Sequence, residues 1–499
     1  MPADGYVGAL DIGTSSVRAL LFDADAKQVP GVEVHLPYTP RVALDGTYET
    51  DPEALFRMVT SAVDGLLHVA GPRRRSRLRA IGVSTFWHGL LGADASGRPL
   101  TPLYLWADTR SWRQAEDLKS KLDAEAVHQR TGCLLHPSYW PAKLAWLREQ
   151  QPGLWRRRPR LLSFWDLVHQ RLFGGTLTSV SMASGTGLLD LAGIDWDGDL
   201  LRLLGVEESQ LPELGEAGQG LLEEFAVRWP SLKDVPWVCA AGDGALANLG
   251  SGCVDPSQRA LTVGTSGALR VLYSGLPQLI PGGLWCYRLD RRRAVVGGSL
   301  SNGGNLYAWM TSNLAVERGT LERRLRRMRP VSTGLTFVPM LAGERSPGFA
   351  SHATGSIAGL TQATTALDIV RAGLEAVAIE FGRVDRLLDL VLPGARRLVA
   401  NGAGLLASPA WMQMMADAIG KPVAESKAKE ASARGAAILA LEHLGAVDGD
   451  RLMSEVGRTY RPDPPTHDSY LVQTARQEEL YRLLVKERAL SRVAGEDAE

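Results

Sequence analysis

Residues 6–23, YVGALDIGTSSVRALLFD, carry apolar side chains on both sides of a polar Gly-Thr-Ser-Ser step, which predicts a strand, a tight turn and a second strand. The apolar period then becomes helical over 52–69, with Asp51 as N-cap and Pro52 at the first helical position, and 79–94 returns to strand character. A strand over 235–241 runs into Gly242-Asp243-Gly244 and a small-residue helix over 245–250. ALTVGTSGALRVLYS (260–274) then repeats the opening pattern, so that Gly264-Thr265-Ser266 stands about half the chain's 499 residues after Gly13-Thr14-Ser15. Self-similarity at half-length predicts two related halves, each opening on a hairpin, with the two turns facing across a cleft. Further strands are expected over 334–341 and 396–401. Helices are expected over 364–390, 407–420 and 430–445, and a Pro-rich connector (461–468) leads to a last helix over 469–491. Alternating strands and helices give the class α/β.

Composition adds little to this pattern. The chain is 45% hydrophobic and 22% charged, the balance of an ordinary globular protein, and Lys+Arg and Asp+Glu cancel at 55 each. Without excess positive charge, neither a nucleic acid nor a membrane surface is an expected partner. No signal peptide or long apolar run is seen, so a cytoplasmic protein is expected. Cys133, Cys239, Cys253 and Cys286 lie far apart with no CxxC pair, as reduced structural thiols would. The Arg runs at 73–75, 156–158 and 291–293 are expected to be solvated turns or helix ends.

Turns that present successive N–H groups and small residues form nests for anionic oxygens. Thr14, Ser15 and Ser16 add hydroxyls to the first turn, and Thr265 and Ser266 to the second. Asp11, at the end of the first strand, would meet phosphate only through Mg²⁺ and its waters. Either turn alone is most simply an ordinary turn; the pair points to phosphate. Gly242 to Ala247 and Gly402 to Ala407 also fit a loose G-x-G-x-x-A dinucleotide pattern. Neither is followed by a suitable acidic residue at a strand end, and the P-loop pattern is absent.

These motifs, in order, resemble the FGGY carbohydrate kinases. They are Asp11 to Ser16 with Arg18, Tyr48 to Pro52, Trp87-His88-Gly89, Trp106 to Arg110, Gly242 to Gly244, Gly264 to Gly267, Gly343 to Pro347 and Glu430 to Ala437. The resemblance implies two actin-like (ribonuclease H-like) ATPase domains with a central cleft. The N-terminal domain would span 1–252 and the C-terminal one 253–445, with a helical extension over 446–499 packed on the second. It implies ATP and Mg²⁺ as cofactors, a small sugar or sugar acid as partner, and leaves a homodimer open. Asp243 matches the general base and, with Asp11, the metal-facing carboxylates. Gly13, Thr14, Ser15, Ser16 and Arg18 match the first phosphate turn, and Gly264, Thr265 and Ser266 the second. Gly304, Gly402, Ala403, Gly404 and Ser408 match the adenosine pocket, Ala403 standing where the family usually has Gly. His88, Trp106, Asp108 and Arg110, with Asp243, match sugar contacts, and Trp87 stands where Met is common.

The stretches 106–111, 131–147 and 181–191 look most like gluconokinases, with xylulokinases next. D-gluconate carries a carboxylate, so a cation is expected near it, and Arg110, His88, Lys143 and Arg345 are the candidates. A non-kinase ATP-binding module of the actin or Hsp70 kind and a dehydrogenase built on the Gly402 turn are the alternatives.

Overall fold

Both hairpins form, and each seeds a sheet. The computed structural model describes residues 5–216, 220–350 and 352–487. In the first half, β1 (Tyr6–Ile12), β2 (Ser16–Phe22), β3 (Gln28–Pro37), β4 (Leu78–Thr85) and β5 (Ala241–Gly242) lie in the order β5-β4-β1-β2-β3. The hairpin strands are antiparallel, and β4 and β5 continue the sheet in parallel. The second half repeats this order. Its strands are β6 (Gln258–Val263), β7 (Gly267–Ser274), β8 (Trp285–Arg288), β9 (Arg293–Leu300), β10 (Arg397–Asn401), β11 (Val423–Ser426) and β12 (Val456–Tyr460). They run β8-β9-β7-β6-β10-β11-β12, so the inner strands β9 to β11 reproduce the first sheet with β8 and β12 added at its edges. Both faces of each sheet are covered, and accordingly β1 and β7 are almost continuously apolar rather than alternating.

Helices begin where the sequence supplies caps. Asp51 accepts from the Glu53 N–H at 2.9 Å to start α1 (Pro52–Arg75), and α2 (Asp243–Gly250) springs directly from β5. They are followed by α3 (Gly304–Asn313), α4 (Ala366–Val391), α5 (Pro409–Ile419), α6 (Ala431–His443) and α7 (Pro464–Tyr481). The first core gathers Val7, Ala9, Ile81 and Leu246, and the second gathers Leu261, Val377 and Trp411. α7 lies on the second half, where Tyr470 is buried in that core.

Four expectations change. The Pro-rich stretch 461–468 is mostly helix: Asp463 caps it, accepting from Thr466 N–H at 3.1 Å, and Pro464 takes the first position, where its missing N–H is no loss. Of the last helix predicted over 469–491, the part beyond 487 lies outside the described residues. The strand predicted over 235–241 is interrupted: Val238 N–H still pairs with the Ile81 carbonyl at 2.9 Å, but Cys239 N–H turns to the Glu216 carbonyl at 3.2 Å, and the ladder resumes only at β5. Arg293 is not a solvated turn residue: its side chain is 5% exposed and pairs with Asp290 and Glu442 at 2.7 and 2.8 Å.

The least local feature is α6. It follows β11 in sequence, yet Ala433, Ala436, Ala437, Ile438 and Leu441 pack in the core of the first half, against β1 and β4. Backbone touches backbone there. A Cβ on Gly435 would stand 2.0 Å from the Leu246 carbonyl oxygen in α2, and one on Gly82 in β4 would stand 1.9 Å from that of Ala436. Gly435→Ala should therefore destabilise the protein by about 1–3 kcal/mol or more in denaturant melting. Gly319→Ala, with open space around it, should be neutral or slightly stabilising; equal midpoints for the two variants would contradict this packing.

Candidate active site

The two Gly-Thr-Ser turns open onto one cleft of about 570 Å³, which Thr14, Ser15, Thr265 and Ser266 line. Gly13 N–H closes the first turn on the Ser16 carbonyl at 2.9 Å, and Gly264 N–H closes the second on that of Ser266 at 2.9 Å. Ser16 itself has entered β2 and is buried. Beside the second turn, Gly304 N–H donates to the Gly264 carbonyl at 2.9 Å. Gly402 backs onto Val263 with φ 104°, where a Cβ would lie 2.0 Å from the Val263 carbonyl oxygen, so only glycine fits. Ala403 and Gly404 begin a short helix behind it, and the Ser408 hydroxyl caps α5 and donates to Glu322 at 2.7 Å. Arg18 turns toward α6 and pairs with Glu430.

Two carboxylates stand at strand ends. Asp243 is the first residue of α2 and lines the cleft. Its Oδ1 accepts from Gly244 N–H at 2.7 Å, and its carbonyl accepts from the Ser432 hydroxyl of α6 at 3.2 Å. Burial pushes the Asp243 carboxyl up, opposed by Arg270, the Gly244 N–H and Arg345. Asp11 is pushed up to about 6 by burial, with Ser84 lowering it and the Asp243 charge raising it. Among the described residues no three His, Cys, Asp or Glu side chains gather to cage a metal. Two carboxylates and hydroxyl-bearing turns suit Mg²⁺, which keeps several waters and completes its shell with phosphate oxygens.

The same cleft carries an aromatic wall. Trp285 and Tyr287 stack at 4.3 Å, Trp87 meets Tyr287 edge-on at 4.8 Å, and the Tyr139 and Tyr287 hydroxyls are 2.6 Å apart. The Trp87 indole fits because Gly185 and Gly242 lack side chains; Cβ atoms there would sit 2.3 and 1.8 Å from it. His88 Nδ1 lies 2.5 Å from the Gly185 carbonyl, which can only accept, so the proton sits on Nδ1 and Nε2 is left as an acceptor. Burial lowers His88 to about 3, leaving it neutral.

Of the four expected cations, the fold leaves one on the cleft wall in charged form. His88 is neutral. Lys143, in the helix Trp140–Gln150, donates to the carbonyls of His88, Leu105 and Ser138, each at 2.9 Å, and burial lowers it to about 7. Arg110 pairs with Glu49 at 2.6 Å and Asp108 at 2.5 Å, its guanidinium lying over Tyr104 and Trp146. Asp108 also accepts from Tyr48 N–H at 3.0 Å, so both residues brace the Trp106 loop from behind. Arg345 does line the cleft, 4.4 Å over the Trp106 ring, and burial lowers it to about 10. Its loop is held by Glu344, which accepts from Gly348 N–H at 2.9 Å and from the Tyr481 hydroxyl of α7. Sequence reasoning missed Arg270 in β7, which also lines the cleft; the signal was a lone Arg in the apolar run ALRVLYS. It missed Tyr139, Trp285 and Tyr287 as well, which look like core residues in sequence.

Residues 6–250 match the model of the FGGY family of carbohydrate kinases, N-terminal domain, and residues 260–442 that of the C-terminal domain. A gluconokinase of Bacillus subtilis (strain 168) is 31% identical over 476 residues, covering 92% of each chain. A gluconate kinase from Lactobacillus acidophilus superposes with a TM-score of 0.89 at 26% identity, covering 96% of this chain and 98% of that one. A ligand-bound xylulose kinase from the same organism matches with the same TM-score of 0.89, identity of 26% and coverage of 96% and 98%.

Lys143→Met removes the donor from three carbonyls and should cost roughly 3 kcal/mol of stability. It should raise KM for acidic and neutral acceptors alike in steady-state kinetics. A KM loss confined to acids would return Lys143 to the substrate.

Proposed function

The chain belongs to the FGGY family of carbohydrate kinases, and from that premise we propose that it phosphorylates a sugar acid, D-gluconate, on its terminal hydroxyl to give 6-phosphogluconate. Its fold is the two-domain actin-like, ribonuclease H-like one of its structural neighbours, and ATP is the donor, as for carbohydrate kinases generally. The observation that carries the choice of acceptor is Arg345. It is a guanidinium on the cleft wall with no carboxylate at ion-pair distance among the described residues, and a desolvated cation favours an anionic ligand. The similarity to gluconokinases supports the same acceptor.

In this reading Asp243 is the general base. As the acceptor oxygen attacks the γ-phosphorus, its proton passes to the Asp243 carboxylate, the bond to the β-phosphate oxygen breaks and ADP leaves. The N-terminal end of α2 favours the carboxylate form. The turns at Thr14-Ser15 and Thr265-Ser266 hold the phosphate oxygens, and Gly304 and Gly402 border the nucleotide. Mg²⁺, held near Asp11 and Asp243, would neutralise charge on the phosphates. Trp106 offers a face to the sugar's C–H side, and neutral His88 accepts from a hydroxyl through Nε2. A cytoplasmic setting belongs to this proposal, since all four cysteines are buried and unpaired. Among the described residues no helix is long and apolar enough to cross a membrane.

ADP release measured over a panel of sugars, sugar acids and polyols should be fastest with gluconate; a higher kcat/KM with xylulose or glycerol would replace the acceptor and leave the kinase intact. Asp243→Asn should keep ATP binding and lose roughly 10²- to 10⁴-fold in kcat, whereas near-normal turnover would remove Asp243 as base. The working form of the base is the carboxylate, and burial raises its pKa, so activity falls as pH drops through that raised value. The acid limb of kcat/KM should therefore lie above the ordinary carboxylate value of about 4, and a limb at or below that value would contradict it.

A further inference from the structure

We propose that Arg270 determines acceptor specificity, forming with Arg345 a two-guanidinium clamp for the carboxylate of a sugar acid. The proposal rests on the sugar-acid reading above and names the residue that enforces it. Arg270 interrupts a buried strand, between Leu269 and Val271, both at 0% exposure. Arginine is rarely placed there without a partner.

The surroundings are shaped to admit it. Across the sheet its register partner is Gly297, where a Cβ would stand 3.0 Å from Arg270 Cγ, and a Cβ on Gly244, next to Asp243, would stand 3.0 Å from Arg270 Nε. Two glycines thus open a slot that brings the guanidinium to the cleft beside Asp243. It is left largely unsatisfied there. Its hydrogen bond is a long one, 3.5 Å from Nη1 to Thr262 Oγ1, and the Nε atoms of both Arg270 and Arg345 are buried without a partner.

The charges do not balance. Arg270 and Arg345 share the single carboxylate of Asp243 on this part of the wall, while His88 is neutral and Tyr139 and Tyr287 keep their protons. One positive charge is left over in a desolvated cleft, and an anion with two oxygens in a plane fits the guanidinium fork. A transferring phosphoryl group offers the same anionic oxygens, but the two hydroxyl turns already address phosphate. Arg345 lies over the Trp106 ring and donates from Nη2 to the Leu300 carbonyl at 3.3 Å.

The test is steady-state kinetics of Arg270→Met and Arg270→Lys on D-gluconate and on a neutral sugar, D-xylulose, with melting curves as a check on folding. Arg270→Met should lose at least ~30-fold in kcat/KM for gluconate, chiefly through KM, and far less for xylulose, with the KM for ATP unchanged. Arg270→Lys, which keeps the charge but not the fork, should fall between wild type and Met. A wild-type enzyme with no preference for the acid would overturn the sugar-acid reading and the clamp with it. A preference that survives in both variants would overturn the clamp alone. Equal loss with both acceptors, or a raised KM for ATP, would assign the guanidinium to the phosphates and likewise overturn it.

Discussion

The site depends on one contact, the crossing of α2 and α6, where glycines let main chain lie on main chain. A Cβ on Gly250 would stand 1.9 Å from the Ala431 carbonyl, and one on Gly435 would stand 2.0 Å from that of Leu246. α2 begins with Asp243. α6 begins beside Glu430, which holds Arg18 of the first hairpin, and ends near Glu442, which holds Arg293 at the start of β9. Ser432 supports the Asp243 carbonyl directly. The same small-residue crossing therefore fixes the carboxylate and ties it to the first hairpin and to the second sheet, so two turns far apart in sequence face one cleft.

Within that frame, the cleft is tuned by what is buried near it. Burial raises the carboxyls of Asp11 and Asp243, and the guanidiniums of Arg270 and Arg345 oppose it for Asp243. Cations that sequence suggests as ligands serve instead as scaffolding. Lys143 gathers the carbonyls of His88, Leu105 and Ser138, and Arg110 with Asp108 stiffens the Trp106 loop. Arg345 and Arg270 are more sparsely held, each by one long hydrogen bond, to the Leu300 carbonyl at 3.3 Å and the Thr262 hydroxyl at 3.5 Å, and both line the cleft. Trp87 belongs to the same logic. Its indole occupies space that any side chain at Gly185 or Gly242 would fill, so the family's more usual Met at that position and this Trp imply different local packing.

Legibility followed the range of the interactions. The hairpins could be read because a Gly-Thr-Ser turn between apolar runs is determined by adjacent residues, and the repeat at half-length announced two similar sheets. Asp51 at α1 and Gly420 at the end of α5 were visible for the same reason. α6 was foreseen as a small-residue helix, but not as part of the first half's core, because Ala and Gly show that something comes close without showing what. The partners of Lys143 are backbone carbonyls, and Glu49 lies far along the chain from Arg110, which no side-chain pattern encodes. Arg270 was overlooked because a strand's apolar run dominates its reading, although the one charge in it was the informative residue.

The central claim is that the two turns and Asp243 converge on one acceptor hydroxyl while Arg345 and Arg270 meet the substrate's carboxylate. A crystal structure with D-gluconate, Mg²⁺ and a non-hydrolysable ATP analogue tests it most directly. The account predicts the terminal hydroxyl within hydrogen-bond distance of Asp243, the γ-phosphate between Thr14-Ser15 and Thr265-Ser266, and the gluconate carboxylate on the two guanidiniums. Gluconate bound with its carboxylate against the phosphate turns or in solvent, and its terminal hydroxyl away from Asp243, would contradict it.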